Sequence, residues 1–258
     1  ADITEVNTVR KHISDILGGQ LAKLAYPASV VSFIFSDVPG NDMTVIASGP
    51  TVRDETTIQD AKRILEKCDM QALSFLSGYS LVETPKEEKY FSRVTNILLV
   101  TNESALVAMK NKAEELGYQA EIRNMKLQGI ASELGRLLAS DVTTNRSCIL
   151  YGGETTVNIL GNGEGGRNQE FVLGAVETIP PDTVIVAVAS DGWDNSDTAG
   201  AIGDAGDRER AKANGISAEQ FLNANDSYRF WKIIGGAIMT GRTGINVADF
   251  YMVLKGGD

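Results

Sequence analysis

The segment Ser29 to Phe35, reading SVVSFIF, is a continuous run of β-branched and aromatic residues with little polar alternation. A strand apolar on both faces has to be covered on both, which predicts a sheet with helices above and below it. The strongest companion is Val184 to Ala189, the most apolar strand in the chain. Between them, Ile97-Leu98-Leu99-Val100, Ala120-Glu121-Ile122 and Cys148-Ile149-Leu150-Tyr151 read as further strands. They alternate with helical patterns at Thr56 to Lys67, through Glu115 after Thr101-Asn102-Glu103-Ser104, at Gly129 to Ser140 and at Asn168 to Ile179. That rhythm belongs to α/β units. An opening helix is predicted over Glu5 to Leu17, with Val6, Val9, Ile13 and Ile16 as its apolar face and Gly18-Gly19 as its stop. Thr155 to Ile159 reads as a strand after the Gly152-Gly153 turn, Ala199 to Asn214 as an interrupted helix, and Arg229 to Trp231 as a strand end. Residues 69 to 93 lack this patterning, and a boundary is expected there: residues 1–90 form one α/β domain and 91–258 a second.

Charge narrows the partners. A formal net charge of −10 argues against a nucleic-acid backbone. It leaves room for a small anionic ligand held by a local patch. Cys68 and Cys148 form no ligand cluster and read as reduced thiols, which predicts an intracellular, cytoplasmic protein. No run of about 18 apolar residues suggests a membrane span. The one histidine, His12, lies beside the apolar face of the first helix and reads as structural, so triad and histidine–zinc chemistry are not expected.

Chemistry is concentrated between Gly152 and Asp204. Gly152-Gly153-Glu154 follows a strand directly, where α/β sheets hold ligands. Gly161-Asn162-Gly163-Glu164-Gly165-Gly166 then leads into Arg167, Asn168, Gln169 and Glu170 at a helix start, a setting in which one guanidinium and free N–H groups can meet an anion. After the strand at Val184 come Asp191, Asp194, Asp197 and Asp204. Such crowded carboxylates repel one another unless a cation or donors lie among them. Asp191, nearest the strand, is the preferred Mg²⁺ ligand.

Six ordered stretches carry a family likeness: ITEVNTVRKHIS with ILGGQLA, FSDVPGNDMTVIASGPT, YGGETTV, GGRNQE, ASDGWDNSDTAGAIGD and TGRTGINVADF. Over nearly the whole chain this resembles the type 2 glycerate kinases, whose last domain is called MOFRL and some of which are labelled hydroxypyruvate reductases. The resemblance implies two α/β domains with a ligand cleft between them, the first incomplete, comprising the remainder of a Rossmann-like kinase domain (1–90) and a MOFRL-like domain (91–258). It implies ATP and Mg²⁺ as cofactors and D-glycerate, or a similar small hydroxy acid, as phosphoryl acceptor. Arg167 and Asp191 take the catalytic roles. Asp37, Ser48, Gly49, Gly152, Gly153, Glu154, Gly166, Asn168, Glu170, Asp194, Thr240 and Gly241 contact substrate or nucleotide, and Asp191 with Asp194 holds the metal. The closing motif departs from the family's TGPTGTNVND at Arg242, Ile245 and Ala248. The family also carries an essential lysine and a glycine-serine turn ahead of the position of Ala1. A missing N-terminal segment is therefore an expected partner, and residues 1–258 alone are expected to turn over little. The alternative is a non-catalytic ligand-binding or structural remnant. Reduction of hydroxypyruvate has no Gly-x-Gly-x-x-Gly fingerprint to support it.

Overall fold

The computed structural model of the chain describes residues 1–38, 40–68, 80–142 and 144–257. Two compact units emerge, Ala1–Leu99 and Val100–Asp258. The division falls inside strand β2 (Val94–Thr101), later than the boundary expected after residue 90. Of the unpatterned segment 69–93, residues 69–79 lie outside the described residues, as does Pro39 of the turn after Phe35.

In the first unit, α1 (Ile3–His12) starts at Asp2, whose carboxylate accepts from Glu5 N at 2.9 Å while Glu5 reaches back to Asp2 N. This capping box fixes the helix start. The helix stops at His12, short of Leu17, and its buried side is not the expected one. Asn7, Thr8, Lys11 and His12 are buried, whereas Val6 and Ile16 are exposed. The reason is a buried polar network. Lys11 Nζ donates to Asp54 Oδ1 at 3.0 Å, Asn7 accepts from Ser48 Oγ at 3.1 Å, and fully buried His12 bonds Thr8 O through Nδ1 at 2.8 Å. The structural reading of His12 agrees with this packing.

Asp54 is the centre of that network. Burial pushes its carboxyl up, but hydrogen bonds from Thr56 and Lys11 and the charges of Lys11 and Lys86 outweigh burial and hold it below the ordinary carboxylate value. A depressed folded pKa stabilises the fold above the unfolded value, about 3.9 for Asp, and that stability is lost as pH falls through the folded value. Denaturant midpoints measured from pH 5 down to pH 2 are therefore expected to fall, and to fall less steeply in Asp54→Asn. An equal acid slope in both proteins would remove Asp54 from the account.

The run Val30–Ser36 does form a strand, β1, paired with β2 in a two-stranded sheet. It is not covered on both faces. Val31, Phe33 and Phe35 are 57%, 62% and 51% exposed and alternate with half-buried neighbours. The remaining helices of this unit are α2 (Gln20–Ala25) and α3 (Ile58–Lys67), the latter opened by a Thr57–Asp60 capping box.

The second unit is a six-stranded sheet in the order β3 (Gln119–Leu127), β4 (Ser147–Gly153), β8 (Asp249–Lys255), β5 (Thr183–Ala189), β6 (Gly200–Asp204), β7 (Ala237–Ile238). Only the β3–β4 ladder is parallel; β8 enters between β4 and β5 antiparallel to both. Helices cover both faces. On one side α4 (Asn102–Glu115) packs Leu106 against Cys148 and Leu150. On the other, Ile149 and Tyr151 meet α5 (Ala131–Leu138) and α6 (Arg167–Ala175) around Phe171, Val172 and Tyr251. The two helices α5 and α6 touch backbone to backbone, because a Cβ on Gly135 would stand 1.8 Å from Phe171 O. Glycine allows that approach.

Three sequence expectations fail here. Thr155 to Ile159 is not a strand: one bridge joins Thr156 to Ile130, and Ile159 is 81% exposed. Gly200–Asp204 is strand β6, followed by α7 (Asp207–Ala213), so Gly203 sits in a ladder opposite Ile185 rather than in a helix. Arg229 to Trp231 lies in α9 (Ser227–Ile234), preceded by α8 (Ala218–Ala224). Trp231 is fully buried, with its indole N–H donating to Gln169 O at 2.9 Å, and tertiary burial has overridden its β propensity.

Candidate functional site

The antiparallel insertion of β8 places three chain positions side by side at one end of the second unit's sheet: Gly153, Asp249 and Ala189. Arg167, the first residue of α6, reaches this end. Its Nε and Nη2 donate to Asp249 Oδ2 and Oδ1 at 2.5 and 3.1 Å, and its Nη1 lies 2.9 Å from Glu154 Oε1. Asp249 is 1% exposed, so the fork is fixed by a buried carboxylate. The hydroxyl of Tyr251 sits 3.1 Å from Asp249 Oδ2 and accepts from Thr155 N at 3.2 Å. Asn102 Nδ2 ties down the same stretch by donating to Val247 O and Asp249 O at 2.8 and 3.1 Å. Burial of Arg167 works against its charge, but Asp249 and then Glu154 outweigh it and hold the guanidinium protonated above its ordinary value. Burial, reinforced by the Asp249 charge, pushes the Tyr251 phenol well up, so it stays a neutral hydrogen-bonding group.

Beyond β5, Asp191 sits in a tight turn. Its Oδ1 accepts from Trp193 N at 3.0 Å, and its Oδ2 lies 3.6 Å from Arg242 Nη1. Arg242 stacks over the Trp193 ring at 4.2 Å. The 240–245 turn is docked on this one: Thr243 N donates to Asp191 O at 3.1 Å and Thr243 Oγ1 to Ser190 O at 2.6 Å. A Cβ on Gly192 would stand 1.9 Å from Gly241 O, at a φ of +79°, which is why only glycine fits there. Thr240 and Gly241 thus lie against Gly192, next to Asp191 in the chain.

Asp194 has a different role from the expected one. Its Oδ1 accepts from Asn168 N and Nδ2 at 3.1 and 3.2 Å, and its Oδ2 from Gln169 N and Nε2 at 2.8 and 3.1 Å. A carboxylate offers about four lone-pair sites, and these four donors use them. Asp194, 3% exposed, is the internal anion at the start of α6, the place the glycine run was expected to offer a ligand. Burial pushes its carboxyl up against those four bonds. Gly166 follows from the same packing, since a Cβ there would meet Asp194 O at 2.1 Å. The rest of the run is docked too: Gly161 N donates to Asn225 Oδ1 at 2.8 Å, Gly163 N to Ala224 O at 2.8 Å and Glu164 N to Asp226 Oδ1 at 3.3 Å. Asn168 is fully buried in this cap, and Glu170 accepts from Asn225 Nδ2 at 3.1 Å.

Gly152 and Gly153 likewise have packing reasons. A Cβ on Gly152 would stand 1.7 Å from Asn102 Oδ1, a buried oxygen with no conventional hydrogen-bond partner, and one on Gly153 would stand 2.2 Å from Leu127 O. Among the described residues no group of three or more His, Cys, Asp or Glu gathers to hold a metal. With Asp194 saturated and Asp191 beside Arg242, the expected two-carboxylate Mg²⁺ set does not fit. A cavity of about 500 Å³ lined by Tyr118, Asp182, Thr183 and Asp204 opens at the opposite end of the sheet, away from Arg167.

In the first unit, Ser48 is buried against Asn7, and Ser48 O and Gly49 O accept from Gly18 N and Gly19 N at 2.9 and 2.8 Å. Ala47, Ser48 and Gly49 take φ of 49°, 57° and 60°, three left-handed residues in succession. Such strain persists only where surrounding contacts fix it. Asp37, just past β1, is exposed. Sequence reasoning did not select Asp249, Tyr251, Thr155 or Asn102 as site residues. The signal for Asp249 was present, as the acid of the closing motif at the start of a strand.

The architecture has counterparts among known proteins. Family models match residues 1–75 (a domain of unknown function, DUF4147) and 147–249 (the MOFRL family). The chain is 37% identical to the D-glycerate 2-kinase of Thermotoga maritima over 98% of its own length and 63% of that protein's. It is 33% identical to a glycerate kinase of Macaca fascicularis, covering 98% of this chain and 79% of that one. The chain belongs to the type 2 glycerate kinase family. Its fold agrees: the crystal structure of the Thermotoga maritima glycerate kinase superposes with a TM-score of 0.91 at 37% identity, over 99% of this chain and 64% of that one. A 38% identical member from Agrobacterium vitis is named a putative hydroxypyruvate reductase. The chain thus spans less than two thirds of the length of several members of the glycerate kinase family that it matches.

Proposed function

We propose that this chain is the larger part of a cytoplasmic, ATP-dependent kinase that transfers the γ-phosphoryl group of ATP to a hydroxyl of D-glycerate, giving phosphoglycerate and ADP. The observation that carries the reading is Arg167, a half-buried guanidinium fixed by Asp249 at the end of the sheet where β4 and β5 finish, in a chain 37% identical to a D-glycerate 2-kinase. Phosphoryl transfer is largely a matter of positioning and charge stabilisation. Asp249, itself bonded to Tyr251, holds the guanidinium in one orientation, so it binds a substrate anion and stays fixed as oxyanion charge develops beside it. Asp191, Thr240 and Gly241 form the neighbouring wall. Mg²⁺, when it accompanies ATP, neutralises phosphate charge; this chain would supply Asp191 rather than a closed cage, with phosphate and water oxygens completing the shell. In the first unit, Asp37, Ser48 and Gly49 are proposed to contact substrate or nucleotide.

The test is an ADP-release assay on the full-length gene product with Mg-ATP and D-glycerate, with a stoichiometric phosphoglycerate assay alongside. Turnover dependent on D-glycerate is expected. ATP binding without transfer to any small hydroxy acid would favour the ligand-binding remnant instead. NADH oxidation with hydroxypyruvate and no phosphoryl transfer would replace the kinase reading by a reductase.

A further inference from the structure

Arg167 is held from two sides by carboxylates of opposite character. Asp249 is buried, accepts from two guanidinium nitrogens and is itself bonded to Tyr251. Glu154 is 47% exposed in its side chain and meets Arg167 through one oxygen at 2.9 Å. Its backbone is anchored independently, Glu154 N donating to Leu127 O at 2.9 Å. The inner carboxylate is thus part of the frame, and the outer one is a side chain free to leave.

The charge count sharpens the contrast. Arg167 carries one positive charge against two negative ones, so an anion approaching its outer side meets a net negative cluster while Glu154 stays. If Glu154 swings into solvent and a monoanion takes its place, the count is unchanged. A phosphate dianion in the same seat would add a negative charge. An ion pair on its exposed side costs little to separate, because water reaches Glu154 and screens it. A ligand carboxylate that also gains contacts to the turn around Asp191, Thr240 and Gly241 has the advantage over a tethered glutamate that gains none.

We infer that Glu154 is a built-in stand-in for the ligand's oxyanion: it occupies the outer side of Arg167 when the site is empty and is displaced by the carboxylate of a small hydroxy acid. The inference rests on the proposed anion-binding role of Arg167 and adds to it the seat, the competitor and the charge of the group that fits. Glycine at 152 and 153 serves this exchange indirectly. Those residues lock the strand end against Asn102 and Leu127, leaving Glu154 as the adjustable member.

The experiment uses the full chain and two probes, D-glycerate and inorganic phosphate, each titrated while the arginine Nε–Hε resonances are followed by NMR. Wild type, Glu154→Gln and Arg167→Lys are compared, with thermal midpoints confirming that each is folded. Glu154→Gln is expected to bind D-glycerate roughly two- to five-fold more tightly than wild type, the span of an exposed ion pair, and both proteins are expected to bind D-glycerate more tightly than phosphate. Arg167→Lys is expected to bind both more weakly. Tighter binding of phosphate than of D-glycerate by both wild type and Glu154→Gln would overturn the carboxylate assignment. Equal or weaker binding by Glu154→Gln, with Arg167→Lys still impaired, would overturn the stand-in role while leaving Arg167 as an anion site. Binding of neither probe by wild type or Glu154→Gln would overturn both.

Discussion

Arg167→Ala in the full-length gene product is expected to lower kcat by about 10² to 10³-fold, the usual cost of removing one preorganised transition-state donor. The structure adds a second effect. Arg167 compensates Asp249, which is 1% exposed. Deleting the guanidinium strands a buried carboxylate, and breaking such a pair typically costs about 3–5 kcal/mol. Here Arg167 is itself one-third exposed and Tyr251 still bonds Asp249, so the lower end of that range or less is expected. Loss of activity by Arg167→Ala alone would therefore be ambiguous. The double variant Arg167→Ala/Asp249→Asn removes the stranded charge and is expected to recover most of the stability while staying inactive. Arg167→Lys keeps a charge but loses the planar fork, and is expected to retain the fold with kcat still strongly reduced. Steady-state kinetics beside urea unfolding separate the two effects. Normal turnover in a folded Arg167→Lys protein would mean that the fork geometry plays no part in catalysis.

Asp194→Ala is expected to be the most destabilising single change in the second unit. It removes the acceptor for four donors, two from the α6 backbone and two from Asn168 and Gln169 side chains, all in a buried setting. Each buried donor left unpaired costs about 1–3 kcal/mol, and loss of an N-cap by itself about 1 kcal/mol. With relaxation and entering water, a total of about 3 kcal/mol or more is expected from urea unfolding. Asp194→Asn keeps two acceptor positions and places an amide against donors, so it should fall between wild type and alanine. An Asp194→Ala protein as stable as wild type, with metal affinity lost, would return Asp194 to the metal set.

The different fates of Asp191 and Asp194 show where sequence reading stops. Both are acids in one glycine-rich turn after a strand, three residues apart. Spacing marks them equally, yet Asp194 turns inward onto the α6 N–H groups while Asp191 stays at the rim beside Arg242. The glycines divide in the same way. Gly161 to Gly166 read as the approach to an anion site at Arg167, but their contacts are to Ala224, Asp226 and Asp194, residues 28 or more positions away in the chain. A glycine's need for space is visible in sequence; what fills the space is not.

Local signals that depend on neighbours in the chain were legible. The apolar run of β5 and the strand–helix alternation of the second unit follow from residues within a few positions of each other. So did Arg167 at the mouth of α6, and the ordered motifs that place the chain among the glycerate kinases. What only tertiary structure decided depends on long-range partners. The buried face of α1 is polar because Asp54 and Ser48 lie against it, over the apolar spacing that the helix itself displays. The sheet of the second unit is mixed because β8, last in sequence, inserts between β4 and β5. That insertion brings Asp249 to Arg167 across 82 residues and makes the charge pair on which the site is built. Sequence spacing sets which residues share a strand or a helix face; which of two carboxylates is buried and which meets solvent is set by the elements packed around them.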